Sequence, residues 1–239
     1  MNLPKIVVLT GAGISAESGI KTFRDQNGLW ENHSIEEVAT YEAYIKNPEL
    51  VHQFYNARRE QLLSDQVKPN PAHHALKKLY DALGDDHFFL VTQNIDDLHD
   101  RVDTPCVHMH GELLKVRCEN CSEIYEHHAH LYVETPCSQC AQPGQLRPHV
   151  VWFGEIPLQM DYIYDQLATA DIFLSIGTSG LVYPAAQFVQ EAKRVGGAKC
   201  IELNREHTPR SIDFDQSIQG LAGDTVPQWV DQFIQEQGI

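Results

Sequence analysis

Four cysteines, a histidine–glycine pair, a glycine turn and a tyrosine–arginine pair are the residues of this 239-residue chain whose types and spacing point to chemistry. Cys118-x-x-Cys121 and Cys137-x-x-Cys140 are separated by fifteen residues. That spacing matches a four-thiolate zinc ribbon, in which each pair sits on a tight knuckle and the soft thiolates close a tetrahedral shell. All four ligands would come from protein, so no coordination position stays open and one structural zinc ion is expected. The same thiols could pair as disulfides or stay free, but no basic-then-apolar leader is visible, and a reducing compartment disfavours disulfides. His127, His128 and His130 lie between the pairs. They read as a solvated run, with a substitute ligand as the alternative. Cys106 and Cys200 sit in apolar contexts and read as small hydrophobes.

The second feature is Gly11-Ala12-Gly13-Ile14-Ser15, directly after the apolar run Lys5–Thr10. A β-branched run of this kind fits a strand buried on both faces of a parallel sheet. Two glycines permit a tight turn and close approach of backbone to a ligand. Ser15, Glu17 and Ser18 read as the opening of a short helix, whose first N–H groups favour an anion. These are the elements of a phosphate cradle. The dinucleotide fingerprint is matched only in part, with Ala16 at the third small position and Gly19 beyond it. A structural turn without ligand is the alternative. A dehydrogenase would also carry an acidic residue about twenty positions on, at the end of a second strand. Glu31 falls near there, but no strand precedes it.

These residues need positioning elements. Strands are predicted over 5–10, 87–93, 171–177 and 199–204. Helices are predicted over 14–19, within 34–65, from Asn70-Pro71 to about Leu83, and over 157–170, 183–195 and 225–236. Asn47-Pro48 and Asn70-Pro71 each place a cap residue before proline at the first helical position. Strands alternating with helices predict an α/β fold, a Rossmann-like doubly wound parallel sheet. A helical insertion (34–69) and a zinc-binding module (113–146) would form a smaller inserted domain, leaving 1–33, 70–112 and 147–239 for the sheet domain. In such a sheet, ligands sit outside the carboxyl ends of the strands. Each predicted strand ends there in a polar or glycine-rich cluster: Gly11-Ala12-Gly13, then Thr92-Gln93-Asn94-Ile95-Asp96, then Gly177-Thr178-Ser179, then Asn204. Between the first two comes a long polar loop, Thr22 to Trp30, of a length that is often functional. His110 precedes Gly111 where the two domains should meet, and neutral imidazole suits a general base. A packed or capping histidine is the alternative.

Composition bounds the partners. A hydrophobic fraction of 42% and a charged fraction of 21% describe an ordinary globular chain. A net charge of −15 argues against nucleic acid, whose phosphates need a basic face. It suits lysine-bearing protein segments, or simply solubility. No apolar run is long enough to span a bilayer. The expectation is a cytoplasmic protein with no membrane association.

Taken together, these motifs closely resemble those of the sirtuins, the NAD-dependent protein-lysine deacylases, over nearly the whole chain. The matching elements are Gly11–Ser15 with Ser18-Gly19-Ile20, then Phe23-Arg24 with Gly28-Leu29-Trp30, and Thr92 through His99. His110-Gly111, both Cys-x-x-Cys pairs, Arg147 through Glu155, Gly177-Thr178-Ser179 and Asn204 follow in order. Lys21-Thr22 departs from the Pro-Asp that many members carry. The resemblance implies that NAD is a co-substrate, with Gly11, Ala12, Gly13, Ile14 and Ser15 cradling its phosphates by backbone N–H groups. Phe23 would cover the nicotinamide site, and Arg24 and Trp30 belong to the same cofactor loop. Gln93 would bond a ribose hydroxyl, Asn94 the reactive ribose or a water, and Asp96, beside Ile95, the carboxamide. Gly177, Thr178 and Ser179 would line the phosphates, Asn204 the adenosine ribose, and Ala222 the adenine. His110 is the implied base. By the same resemblance, the acyl-lysine oxygen attacks the anomeric carbon as nicotinamide leaves, and O-acyl-ADP-ribose and free lysine result. An acyl-lysine peptide would add as a strand between Val151-Trp152-Phe153-Gly154-Glu155 and Gly180-Leu181-Val182. Mono-ADP-ribosyl transfer, or NAD sensing without turnover, are the other activities such a site could support.

Tyr55 and Arg58 lie at i and i+3 of the helix announced by Pro48, so both point to one face. A guanidinium forks onto a carboxylate and a phenol adds a directed hydrogen bond. The pair suits an acyl group that ends in a carboxylate, and resembles the sirtuin class that removes succinyl and malonyl groups alongside acetyl. Plain deacetylation, with Arg58 solvated and Tyr55 in the core, is the alternative.

Overall fold

A computed structural model describes residues 3–21 and 33–239 of the chain. The cofactor-loop residues Phe23, Arg24 and Trp30 lie outside the described residues. In chain order the elements are β1 (Ile6–Thr10), α1 (Ala12–Ser15), α2 (Ile35–Val38), α3 (Tyr41–Lys46), α4 (Pro48–Leu62), α5 (Pro71–Leu83), β2 (Phe88–Thr92) and β3 (Val107–His108). They continue with β4 (Gly111–Cys118), β5 (Ile124–Glu126), β6 (Leu146–Val150), α6 (Met160–Ala168), β7 (Ile172–Ile176), α7 (Phe188–Glu191), β8 (Lys199–Asn204), β9 (Gln216–Gln219) and α8 (Ala222–Gln237).

Among the described residues, the large sheet has the order β3-β2-β1-β7-β8-β9, and every pairing in it is parallel. Strand residues alternate between two apolar layers, as the period of a strand requires. Ile6, Val8, Leu90, Leu174 and Ile201 pack with α5 and α8 through Leu76, Leu79, Val230 and Phe233. Val7, Leu9, Val91, Phe173 and Cys200 pack with α6 and α7 through Ile163, Leu167, Phe188 and Val189. Both faces are therefore covered, and the fold is a doubly wound Rossmann-like sheet. The four predicted strands are its centre. The two edge strands were not foreseen: β3 is two residues long, and β9 (Gln-Ser-Ile-Gln) carries too little apolar content to signal itself.

Asn47 and Asn70 cap α4 and α5 as expected, accepting the N–H groups of Leu50 and Ala72. The first helix differs from expectation. It starts at Ala12 and tightens to a 3₁₀ turn over Ala16–Ser18, which ends at Gly19 with φ of 88°. The last helix starts at Ala222, three residues before the predicted position, and carries Pro227 inside it.

The second sheet runs β5-β4-β6, antiparallel, and packs against α2–α4 through Leu113, Leu114, Val150 and Trp152. Because β6 pairs with β4, the chain leaves this small sheet after Val150, four residues beyond the expected return at 146.

Candidate functional site

The carboxyl ends of the parallel strands open into a cleft of about 1120 Å³. Sequence order reverses beside β1, which has β2 on one side and β7 on the other. This is the switch point at which open α/β sheets bind ligands. The turns after β1 and β7 meet glycine to glycine. A Cβ on Gly13 would lie 2.6 Å from Gly177 Cα, and one on Gly177 (φ 62°) would lie 2.5 Å from the Ile14 nitrogen. No side chain fits at either position.

That closeness also narrows the expected N–H cradle. Gly11 N–H donates to Ile176 O at 3.0 Å, Gly13 N–H to Gly177 O at 2.8 Å and Ile14 N–H to Gly11 O at 3.1 Å. Ile14 is fully buried in the core below the turn and does not line the cleft. The Gly11 and Gly13 N–H groups therefore stitch the two turns together, and the Ile14 N–H is committed within its own turn. Ser15 contributes through its hydroxyl: Asn94 Nδ2 donates to Ser15 Oγ at 3.1 Å and to Gly11 O at 3.2 Å, and Ser15 Oγ donates to Asp96 Oδ2 at 3.0 Å. Gly11, Ala12, Gly13 and Ser15 all line the cleft.

Gln93, Asn94, Ile95 and Asp96 line the same cleft from the end of β2. Burial pushes the Asp96 carboxyl above the usual range, against the opposing bonds from Leu98 N–H and Ser15. Beneath Asn94 runs a buried chain that the sequence did not reveal. Thr92 Oγ1 accepts the Asn94 N–H at 3.0 Å and the Thr10 hydroxyl at 2.8 Å, and Thr10 Oγ1 lies 3.1 Å from His99 Nε2. Since the Thr10 proton goes to Thr92, His99 Nε2 is the donor to Thr10. His99 was visible as part of a motif, but nothing local says which buried hydroxyl it reaches.

His110 is held by the carbonyl of Gln93, 3.0 Å from its Nδ1. A carbonyl only accepts, so Nδ1 carries the proton and Nε2 is the basic nitrogen of the ring. His110 lines the cleft. Burial lowers its pKa, partly offset by the bond to Gln93, so the ring is neutral at neutral pH. Gly177, Thr178, Ser179, Asn204 and Ala222 complete the cleft on the β7, β8 and α8 side. Asn204 Nδ2 donates to Thr178 O at 2.6 Å, and Glu17 accepts the Gly223 N–H at 2.7 Å, tying the first turn to the start of α8.

Val151, Phe153 and Gly154 line the opposite wall, with Tyr55 and Arg58 from α4. The backbone of this segment is more occupied than the expected peptide-adding edge would be. Val151 N–H donates to His110 O, Trp152 N–H to Glu155 Oε2 and Phe153 N–H to Ala39 O. The Trp152 carbonyl in turn accepts the Glu155 N–H at 3.0 Å. Tyr55 is fully buried, its Oη accepting from Trp152 Nε1 at 2.9 Å. The Arg58 guanidinium lies 4.4 Å from the centre of the Phe54 ring.

Away from the cleft, one ligand atom from each of Cys118, Cys121, Cys137 and Cys140 lies within 4.8 Å of all the others. The Cys118–Cys140 and Cys121–Cys137 sulfurs are each 3.7 Å apart. That is too long for a disulfide. It matches the separation of about 3.8 Å between sulfurs of a tetrahedron with Zn–S of about 2.3 Å. Both knuckles turn on a residue with positive φ, Ser122 and Ala141. The four thiolates fit a structural zinc ion with no open position. His127 is half-buried and His128 and His130 are exposed, and among the described residues none joins the cluster.

A doubly wound sheet with a glycine-stitched switch point, interrupted by a helical insertion and a four-cysteine ribbon, defines an α/β protein with a nucleotide-type cleft and an inserted zinc module. The Sir2 family model matches residues 11–184, and the chain belongs to the Sir2 family. Over 98% of its length it is 55% identical to the NAD-dependent protein deacylase of Salmonella typhimurium, covering 85% of that protein. It is 54% identical to the NAD-dependent protein deacylase of Escherichia coli K12, over 98% of this chain and 84% of that one. Among solved structures it resembles a Sir2 homologue in complex with ADP-ribose (TM-score 0.89, 36% identity, 98% and 94% of the two chains). It also resembles a Sir2–p53 peptide–NAD⁺ complex (TM-score 0.79, 27% identity, 98% and 93%).

Proposed function

We propose that the protein is an NAD-dependent protein-lysine deacylase that removes succinyl and malonyl as well as acetyl groups, releasing nicotinamide and O-acyl-ADP-ribose. The observation that carries this reading is the convergence of His110, Asn94, Asp96 and the stitched glycine turns on one cleft. NAD supplies the electrophilic ribose carbon and the leaving group. The protein's part is to hold and deprotonate. His110 Nε2, basic because Nδ1–H is committed to Gln93, takes the proton from a ribose hydroxyl. Asn94, fixed by Ser15, Gly11 and Thr92, presents its amide to the reactive ribose. Asp96 holds the nicotinamide carboxamide, Gln93 a ribose hydroxyl, and Ile95 packs beside them. Gly11, Ala12, Gly13 and Ser15 with Gly177, Thr178 and Ser179 line the phosphates. Asn204 and Ala222 take the adenosine end. Phe23, Arg24 and Trp30 are assigned to the cofactor by resemblance alone. Val151, Phe153 and Gly154 receive the acyl-lysine peptide, and the four cysteines hold the structural zinc.

The acyl preference rests on Tyr55 and Arg58 lining the same cleft as His110. Hydrogen bonds to charged groups contribute roughly 1.5–3 kcal/mol. Matched succinyl- and acetyl-lysine peptides, turned over with NAD and with His110→Tyr as the blank, test the reading. Arg58→Met should lower the succinyl-to-acetyl ratio of kcat/KM about tenfold or more. An unchanged ratio removes the carboxylate pocket. We further place the protein in the cytoplasm, acting on acylated proteins and neither on nucleic acid nor at a membrane. The acidic net charge supports this, as does the lack, among the described residues, of a helix long and apolar enough to cross a membrane.

A further inference from the structure

His108 stands two residues before His110, and the two rings reach successive carbonyls of one turn. His110 Nδ1 is 3.0 Å from Gln93 O, and His108 Nδ1 is 3.4 Å from Asn94 O. Strand register sets this up, since β3 pairs with β2 so that His108 lies opposite Thr92, beside the turn that follows β2. The surroundings of the two rings differ. His110 lines the cleft, whereas His108 is 8% exposed and does not. His108 Nε2 is 3.0 Å from Asp100 Oδ2, at the start of the 3₁₀ turn Asp100–Val102. A carbonyl and a carboxylate both only accept. A neutral ring carries one N–H and would turn its lone pair on one of these oxygens, so the doubly protonated ring is the form that satisfies both. Thr92 Oγ1 holds the Asn94 N–H at 3.0 Å, so the Asn94 backbone is gripped at both of its polar atoms.

The titratable groups around this ring come from several segments. Asp96 belongs to the turn itself, His99 and Asp100 follow it, Cys106 precedes β3, and Glu112 stands on β4, paired with Lys115 at 2.8 Å. Burial keeps the His99 ring neutral and the Cys106 thiol protonated. Burial also opposes a charge on His108, but Asp100, Glu112 and the Asn94 carbonyl outweigh it and raise the His108 pKa above its ordinary value. We propose that His108 is a positioning residue for the reaction: as an imidazolium it fixes the Asn94 carbonyl and sets a positive charge near the buried Asp96 carboxyl, and so holds the Asn94–Asp96 turn in the form that receives NAD. The role rests on the deacylase reading above. When the ring loses a proton, the charge-assisted bond to Asp100 keeps Nε2–H. The Nδ1 lone pair then opposes the Asn94 oxygen, and the positive charge near Asp96 is gone. Turnover therefore has an alkaline limb that belongs to His108, distinct from the loss on acidification that a neutral His110 base gives.

The test follows kcat/KM for NAD against pH, with the zinc-loaded full chain and an acetyl-lysine peptide, since this quantity reports ionisations of the free enzyme. The alkaline limb should have its midpoint above pH 6.5. Asp100→Asn removes a half-exposed carboxylate and should move that midpoint down by about one pH unit, with the acidic limb in place. His108→Asn keeps an N–H donor but cannot ionise. It should abolish the alkaline limb and lower kcat/KM at pH 6.5 about tenfold. A His108→Asn variant that melts earlier yet keeps the alkaline limb of the unsubstituted chain has lost packing alone, and the positioning role falls. It falls equally if Asp100→Asn leaves the alkaline midpoint where it was. Neither outcome touches the deacylase reading, whereas a chain with no NAD-dependent turnover at any pH removes that reading and this role together. A second measurement does not depend on either variant folding. In the unsubstituted chain, ¹⁵N resonances should show the His108 ring more than half doubly protonated at pH 6.5. A ring that is mainly singly protonated there overturns the proposal.

Discussion

The zinc ribbon and the cleft are both built from residues that converge on one point, and they converge in opposite ways. The four cysteines come from one stretch of 23 residues, Cys118 to Cys140, and two knuckles place all their sulfurs within 4.8 Å. Their ligand would be enclosed by protein. The cleft takes its residues from Gly11 through Ala222 and leaves a volume of about 1120 Å³ open. Its parts are held by the packing of whole strands, with Gly13 against Gly177 and Asn204 against Thr178. A closed local site holds a metal as part of the fold. An open site assembled over distance leaves room for a co-substrate to enter and leave.

The two are joined at one place. β4 begins at Gly111, directly after His110, and ends at Cys118, while β6 runs from the ribbon to Val150 and the cleft-lining segment that follows it. Zinc removal should therefore have the largest effect of any single perturbation. Structural zinc binding is worth roughly 10–16 kcal/mol in small zinc folds at neutral pH. Chelation, or Cys137→Ala, is expected to abolish deacylation and to expose the amides of 113–150 to rapid hydrogen exchange. The amides of β1, β2, β7 and β8 should stay protected. Collapse of protection in the parallel strands at the same chelator concentration would show that the two regions fold as one unit.

His110→Ala tests the other side. General-base catalysis contributes about 10²–10⁴-fold, and kcat should fall within that range while the melting temperature and zinc content hold. The unsubstituted enzyme should also show the ionisation. With His110 as the proposed base, neutral imidazole is the active form and burial lowers its pKa, so kcat/KM should fall on acidification with a midpoint below pH 6.5. For stability the sign is the same: with the folded pKa depressed, the contribution is present above the unfolded value and lost as pH falls through the folded one. A midpoint above pH 6.5 would mean that another group is the base.

The contrast also explains what could be read from the amino acids. The ribbon is legible because its ligands follow one another closely and the thiol chemistry is specific. The four central strands are legible because both faces are apolar, and α4 and α5 because Asn-Pro announces them. β9 is polar and β3 too short to carry a period. The cleft's list of residues was legible by resemblance, but the division of labour within it was not. That Ser15 acts through its hydroxyl, that the Gly11 and Gly13 N–H groups serve β7 instead of a ligand, and that Trp152 reaches Tyr55 are all contacts between segments more than 60 residues apart. No local pattern encodes them.

The smallest effect sharpens the comparison most. Gly13 lines the cleft but is constrained from behind, since an added Cβ would meet Gly177 Cα at 2.6 Å, its carbonyl oxygen at 2.8 Å and its carbonyl carbon at 3.0 Å. All three are backbone atoms with no rotamer to yield. Gly13→Ala must push the β1 and β7 turns apart and stretch the bond from Gly13 N–H to Gly177 O. Overpacking of this kind costs typically about 1–3 kcal/mol. The melting temperature should drop by several degrees and the KM for NAD should rise, with zinc content unchanged, because the turn is far from the ribbon in the chain. Gly19→Ala is the control. Nothing lies within 4 Å of its added Cβ, so only the penalty of its positive φ should appear, of order 1 kcal/mol, without a change in the KM for NAD. If both substitutions shift the KM equally, the stitched turns are not what shapes the cleft, and the site owes its form to local backbone conformation, as the zinc knuckles do.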